Sequence, residues 1–313
     1  MRVVALAGGV GGAKLAHGLQ QVLAPGELTV VVNTGDDLEV HGLPVCPDGD
    51  TVLYTLAGVA NPSTGWGMAD ETWAVMGQLG RLGEPTWFAL GDRDIATHLF
   101  RLARLRAGRR PTEVSLELSR ALGVAARILP MADRPVRTQV RTTDGWLAFQ
   151  EYFVHRHQEP EVHETRFDGI DAAAATPEVA DALAAAELIV LCPSNPFVSI
   201  APILAVPGIR AGLQGARRRG VRVVAVSPIV GGKALKGPAD RMLASLGKDV
   251  SALGVAREYR GLVDLFVLDR VDAGLLPEVR ALGMQAAATD TIMTDDAGRA
   301  RLAADLLRLA AAG

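Results

Sequence analysis

The amino-acid sequence predicts an α/β fold: a Rossmann-like parallel sheet with helices on both faces and an inserted helical and β subdomain. Three observations predict it. Short apolar runs recur along the chain, continuous rather than alternating, as in strands buried on both faces. Segments of helical periodicity separate most of them. Glycine, serine, asparagine and aspartate gather just beyond the runs, where parallel sheets bind ligands.

Val3–Ala7 is the first run, and Gly8, Gly9, Gly11 and Gly12 follow it. Leu15, Leu19, Val22 and Leu23 then recur at helical spacing. A helix N-terminus behind glycines directs free N–H groups and a positive dipole end at an anion. The loop is no Walker motif, because Ala13 separates Gly12 from Lys14 and no Ser or Thr follows the lysine. Nor is it a dinucleotide fingerprint, since Lys14 stands where a third small residue belongs. Glycines at four of the five positions 8–12 favour phosphate contact over a bare turn.

Leu28–Val32 is the second strand and ends at Asn33, with Asp36 and Asp37 beyond it. Thr51–Leu56 reads as helix with Asp50 near its N-cap. Asp70–Leu79 reads as helix, Thr86–Leu90 as strand, and Ile95–Leu105 as helix stopped by Gly108. Thr112 and Glu113 open another helix that ends near Gly123. Val136–Thr142 and Trp146–Phe153 flank Thr143-Asp144-Gly145, a hairpin signal. Ala172–Ala186 returns to helix. Strands follow at Glu187–Leu191, Val221–Val226, Leu262–Leu268 and Gln285–Ala288, with helices at Arg210–Arg219 and Ala297–Ala311. The expectation is one domain over residues 1–313, interrupted at about 60–170; an independent second domain is the alternative.

Composition narrows the function. The chain has 313 residues, 49% hydrophobic, enough for a large core. A net charge of −3 gives no general attraction to nucleic acid or anionic membrane. No apolar run approaches a membrane span, so a cytoplasmic location is expected. Cys46 and Cys192 make neither a disulfide framework nor zinc spacing.

The chemical groups cluster at predicted strand ends. Asp36, Asp37, Glu39, Asp48 and Asp50 fall in one connection, suited to Mg²⁺ or to activating a hydroxyl, or else to a solvated loop. Arg93 either clamps a phosphate or carboxylate or pairs with a neighbouring aspartate. Ser194 and Asn195 offer a hydroxyl and an amide to a phosphate or sugar, or form only a turn. Ser227–Gly232 reads as a second anion-binding loop, with Lys233 and Lys236 nearby. Two such loops point to a diphosphate. Cys192 reads as a small buried residue, and His41, His98, His155, His157 and His163 share no metal-ligand spacing.

Four segments together resemble the 2-phospho-L-lactate transferase family of coenzyme F420 biosynthesis. They are Gly8–Lys14 (GGVGGAK), Asn33–Gly58, Leu191–Leu204 and Ser227–Ala239; GDRDIATHL at Gly91–Leu99 and TDTIMTD at Thr289–Asp295 also fit. The resemblance implies a GMP-releasing transferase with Mg²⁺. Its donor is a GDP-linked three-carbon acid, and its acceptor is the ribityl hydroxyl of the deazaflavin Fo. It implies that Asp50 contacts the acceptor, binds Mg²⁺ or orients the hydroxyl, and that Arg93 is a basic acceptor-site position. Gly9, Gly11, Gly12, Lys14, Ser194, Asn195, Ser227, Gly231 and Gly232 fall on the nucleotide side, and Asp290 is a second metal-site acid. Val10 stands where many relatives carry Thr, and Cys46 where Ser is frequent. A homodimer is the family expectation. The competing class is a non-catalytic nucleotide-binding regulator; a dehydrogenase is weaker, because no ribose-binding acid ends the second strand.

Overall fold

In the computed structural model, which describes residues 1–312, seven strands form the central sheet. They are β1 (Val3–Ala7), β2 (Leu28–Val32), β3 (Arg127–Pro130), β4 (Leu188–Leu191), β5 (Arg222–Val226), β6 (Leu265–Asp269) and β7 (Gln285–Thr289). Their order is β7-β6-β5-β4-β1-β2-β3, and every pairing is parallel. Chain direction across the sheet reverses between β1 and β4, the topological switch point of a doubly wound fold.

The apolar runs are buried because alternate residues feed two cores. Val3, Ala5, Val30, Val32, Val190 and Val224 join one; Val4, Leu6, Val31, Ile189, Leu191 and Phe266 join the other. Helix α1 (Gly9–Val22) packs Leu15 and Leu19 into the first core, as α2 (Pro47–Leu56) does with Val52 and Leu53. The C-terminal helix Asp296–Ala311 adds Leu302 and Leu306. Each such side chain contributes roughly 1.5–3 kcal/mol on burial.

The structure corrects the sequence reading in several places; the helix expected at Asp70–Leu79, for one, is Ala74–Arg81. Thr86–Leu90 is not a strand. Its Phe88 and Leu90 pack instead in a separate small cluster with Met76 and Ile95. The edge strand is β3, whose Ile128 and Leu129 enter opposite cores. Thus residues 127–130, inside the stretch expected to be inserted, pair with β2 in the main sheet. Trp146–Phe153 is strand only at Gly145–Ala148; Glu151–His155 is a π-helical turn. Arg137–Thr142 is the middle of a three-stranded antiparallel sheet whose third member, Val162–Asp168, the periodicity did not predict.

Candidate functional site

A cavity of 510 Å³ opens at the switch point. Gly8–Gly11, beyond β1, and Pro193-Ser194-Asn195, beyond β4, line it. Asp36, Asp48, Asp50 and Tyr54 line it from the β2–α2 connection and α2. Trp66, Phe88, Phe149, Phe153 and His157 supply aromatic surface, and Lys236–Ala239 a further loop. The π-helical turns Glu151–His155 and Pro196–Ile200 both border it, a placement frequent at functional sites.

The glycines belong to a helical turn, since α1 begins at Gly9 with Gly8 as N-cap. Gly9 has φ +63°, the left-handed region that glycine tolerates. A Cβ on Gly8 would collide with the Asp48 carboxylate and come within 2.8 Å of Ser199 Cβ. Gly11 and Gly12 abut the Pro193 carbonyl oxygen and Ser194 Oγ. Ser194 stitches the two loops: its hydroxyl accepts from Gly8 N–H at 3.1 Å and donates to Gly8 O at 2.8 Å. Asn195 is likewise structural in part, its Oδ1 accepting the Phe197 and Val198 N–H groups. Lys14 donates to the Met293 carbonyl at 3.0 Å. Burial, then Arg299 and Lys236, lower its pKa, so these cations share one neighbourhood.

Asp36 and Asp48 flank one amide. Asn33 Nδ2 lies 2.8 Å from Asp36 Oδ1, 2.9 Å from Asp48 Oδ2 and 3.1 Å from Val198 O. An amide has two protons for these three acceptors. Burial raises the Asp36 carboxyl well above the usual range, and repulsion from Asp48 and Asp37 adds to it. Burial pushes Asp48 up to about 6, against hydrogen bonds from Asn33 and the Gly9 backbone. Such a pair is short of positive charge.

Asp50 is in the opposite state. Pro47 occupies the first turn of α2, with Asp48 and Asp50 at the positive end of the helix dipole. Helix α3 spans Ala74–Arg81, and α4 (Asp92–Arg106) brings Asp94, His98 and Arg101 onto one face at helical spacing. The buried Arg101 guanidinium donates to Asp50 Oδ1, and to His98 Nδ1 and Pro44 O at 2.9 Å each. Asp94 lies 3.3 Å from His98 Nε2 and accepts from Tyr54 Oη at 2.6 Å. Burial raises the Asp94 carboxyl, but the adjacent His98 ring and the hydrogen bond from Tyr54 bring it below its ordinary value. A smaller 190 Å³ chamber shares Asp50 and Val45 with the main cavity and is lined by Asp37, Arg101 and Arg137. Burial pushes Asp37 up to about 7 despite Arg137.

Sequence reasoning named Asp50 but missed Asp94, His98 and Arg101. The available signal was their i, i+4, i+7 spacing, with His98 and Arg101 on the helix predicted at Ile95–Leu105 and Asp94 just before it. Asp50, Asp94 and His98 offer ligand atoms within 4.8 Å of one another. Arg101 already holds Asp50 and His98 Nδ1, and Asp94 faces the other ring nitrogen, so this group suits a cation poorly.

Other expected residues lie elsewhere. Arg93 is exposed, its guanidinium donating to Ala69 O at 3.0 Å, and of GDRD only Asp94 lines the cavity. Asp290 forms an ion pair with Arg301 at 2.6 Å and does not line the cavity. Ser227 folds onto its own turn, donating to Ile229 O and accepting from Ile229 N–H. Gly231 and Gly232, φ +57° and +76°, make the two-residue turn between the paired strands Ile229–Val230 and Lys233–Ala234. Gly231 N–H is taken by Asp272 at 3.0 Å. Of that loop only Pro228 lines the cavity; the later part of the segment, Lys236–Ala239, reaches it as well.

A family model described as 2-phospho-L-lactate transferase CofD matches residues 3–307. A phosphoenolpyruvate transferase of Streptomyces griseus is 45% identical over 99% of this chain and 98% of its own length. A phosphoenolpyruvate transferase of Mycobacterium avium is 39% identical over 99% of both chains. A crystal structure of a UPF0052-family protein from Bacillus halodurans superposes with a TM-score of 0.63 at 16% identity, covering 98% of each chain, which shows the shared fold. The chain belongs to the 2-phospho-L-lactate transferase CofD family, a family of transferases.

Proposed function

We propose that this protein transfers a phosphorylated three-carbon acid from a GDP-linked donor to the ribityl hydroxyl of Fo, a step of F420 biosynthesis. The hydroxyl oxygen bonds to the acid-bearing phosphorus, the bond from that phosphorus to the GMP oxygen breaks, and the hydroxyl proton passes to the Asp50 carboxylate. The names of the relatives favour enolpyruvyl as the acid. One observation carries the reading: a single cavity joins a helix N-terminus and Lys236, suited to a diphosphate, with aromatic rings suited to a flat heterocycle and with carboxylates.

On this reading Gly9 and Gly11 present the start of α1 to the diphosphate, Gly12 packs behind them on Ser194, and Lys14 and Lys236 add charge. Ser194 and Asn195 shape that side. Trp66, Phe88, Phe149 and Phe153 hold the deazaflavin, so residues 60–170 form the acceptor side. Phosphoryl transfer of this kind depends on placement and charge stabilisation. Mg²⁺ fits Asp36 and Asp48 better than Asp50 and Asp290, because these two buried carboxylates accept from the neutral amides of Asn33 and Gln150 and no cation pairs with them. When bound, the ion would neutralise charge on the phosphate.

The test is incubation with Fo, Mg²⁺ and the lactyl, enolpyruvyl or glyceryl GDP-linked donor, with GMP and phosphodiester followed by mass spectrometry. The expected result is product, with the enolpyruvyl donor fastest. Guanine-nucleotide binding without product or Fo binding would overturn the reading in favour of a regulator. A cytoplasmic homodimer belongs to the same proposal, and light scattering tests its mass.

A further inference from the structure

We infer that Arg101 and His98 are positioning residues that hold the Asp50 carboxylate toward the cavity in one orientation. The inference rests on the transferase reading for its consequence, but on geometry for its content. Asp50, Tyr54 and Asp94 line the cavity, whereas Arg101 and His98 do not. Arg101 is 7% exposed and His98 fully buried, so both act through other side chains.

The hydrogen bonds admit one arrangement. A guanidinium only donates, so His98 Nδ1, 2.9 Å from Arg101 Nη1, must accept. The ring proton therefore sits on Nε2, facing Asp94. Asp94 is in turn fixed by the Tyr54 hydroxyl. Arg101 spans this array: one arm is anchored by His98 and the Pro44 carbonyl, the other donates to Asp50 Oδ1. The Cys46 N–H donates to Asp50 Oδ2 at 3.3 Å. Each carboxylate oxygen thus has its own donor, and the side chain cannot swing away without losing both. A buried ion pair is a poor source of folding stability, because desolvation offsets attraction. It does supply a carboxylate in one rotamer, the condition for orienting a hydroxyl.

The 190 Å³ chamber bordering Arg101 permits chemical rescue. Arg101→Ala is expected to lower kcat about 100-fold or more, the scale for a misplaced catalytic group, with guanine-nucleotide Kd unchanged. Millimolar guanidinium, and not the same concentration of sodium, should restore much of that kcat. His98→Gln keeps one acceptor and one donor and should stay within about threefold of wild type, while His98→Leu falls about tenfold or more. The unchanged nucleotide Kd establishes that each variant is folded. An Arg101→Ala enzyme with wild-type kcat, or His98→Gln falling as far as His98→Leu, overturns the inference. If wild type shows no transfer at all, the transferase reading fails separately. ¹⁵N shifts then decide the array: the Nε2–H tautomer of His98, altered in Arg101→Lys, supports it, and an Nδ1–H tautomer refutes it.

Discussion

Two glycine-rich segments, Gly8–Gly12 and Ser227–Gly232, resemble each other in sequence and differ in the fold. Both follow an apolar strand of the same sheet. The first lies at the switch point, where the connections after the paired strands β1 and β4 pass to opposite faces of the sheet and a cavity forms. The second follows β5, between β4 and β6, and closes on itself as a hairpin turn. Its Gly231 N–H serves Asp272. Glycine supplies freedom of φ wherever it stands; the place in the sheet decides whether that freedom faces a ligand or completes a turn.

The largest effect that could break this comparison is at Gly8. Gly8→Ala drives a methyl group into Asp48 and Ser199. It should destabilise the fold by about 1–3 kcal/mol, the usual range for overpacking, and lower transfer far more than nucleotide affinity. Denaturant melts and kcat measurements check this; a Gly8→Ala protein with normal kcat would show that the loop's close packing is incidental.

Lys236→Ala tests which half of the second segment matters. Loss of one charge-assisted phosphate contact, worth about 1.5–3 kcal/mol, should weaken GDP binding roughly 10- to 100-fold by calorimetry. An unchanged Kd would remove Lys236 from the anion side.

The acidic pair gives a pH-dependent effect. Folded Asp36 and Asp48 carboxyls are raised above the unfolded value, Asp48 to about 6. Their contribution to stability is complete below the unfolded pKa near 4 and is lost as pH rises through the folded values. On the proposal that Mg²⁺ binds the ionised pair, the increase in Tm that it brings should be larger at pH 8 than at pH 5. Equal increases at both pH values, or persistence of the pH 8 increase in an Asp48→Asn protein, would place the cation elsewhere.

The smallest effect belongs to Gly231. Gly231→Ala places a side chain at φ +57° and should cost about 1 kcal/mol of stability, leaving GDP affinity within about twofold. A tenfold weaker Kd would return the hairpin to the binding site.

Legibility followed the range of the interactions involved. The strands Val3–Ala7 and Leu28–Val32 were read with their observed ends, because a continuous apolar run reports burial on both faces directly. The edge strand Arg127–Pro130 was not, since four residues ending in proline carry little pattern of their own. Thr86–Leu90 misled for the converse reason: its apolar residues pack beside α3 and α4 without a partner strand. In the candidate site Asp50 was visible through its neighbours in sequence. Arg101, fifty-one positions away, was not.

The sequence by itself determined the parallel α/β class, the glycine turn after the first strand and the acidic connection after the second. These depend on periodicity and on residues adjacent in the chain. Only the tertiary structure decided which polar groups meet: Asp50 with Arg101 and His98, Asp36 with Asp48 around Asn33, and Ser194 with Gly8. The physical reason is that a buried charge or hydrogen-bonding group must find a partner in space. Strand order, not sequence separation, determines which partners are within reach.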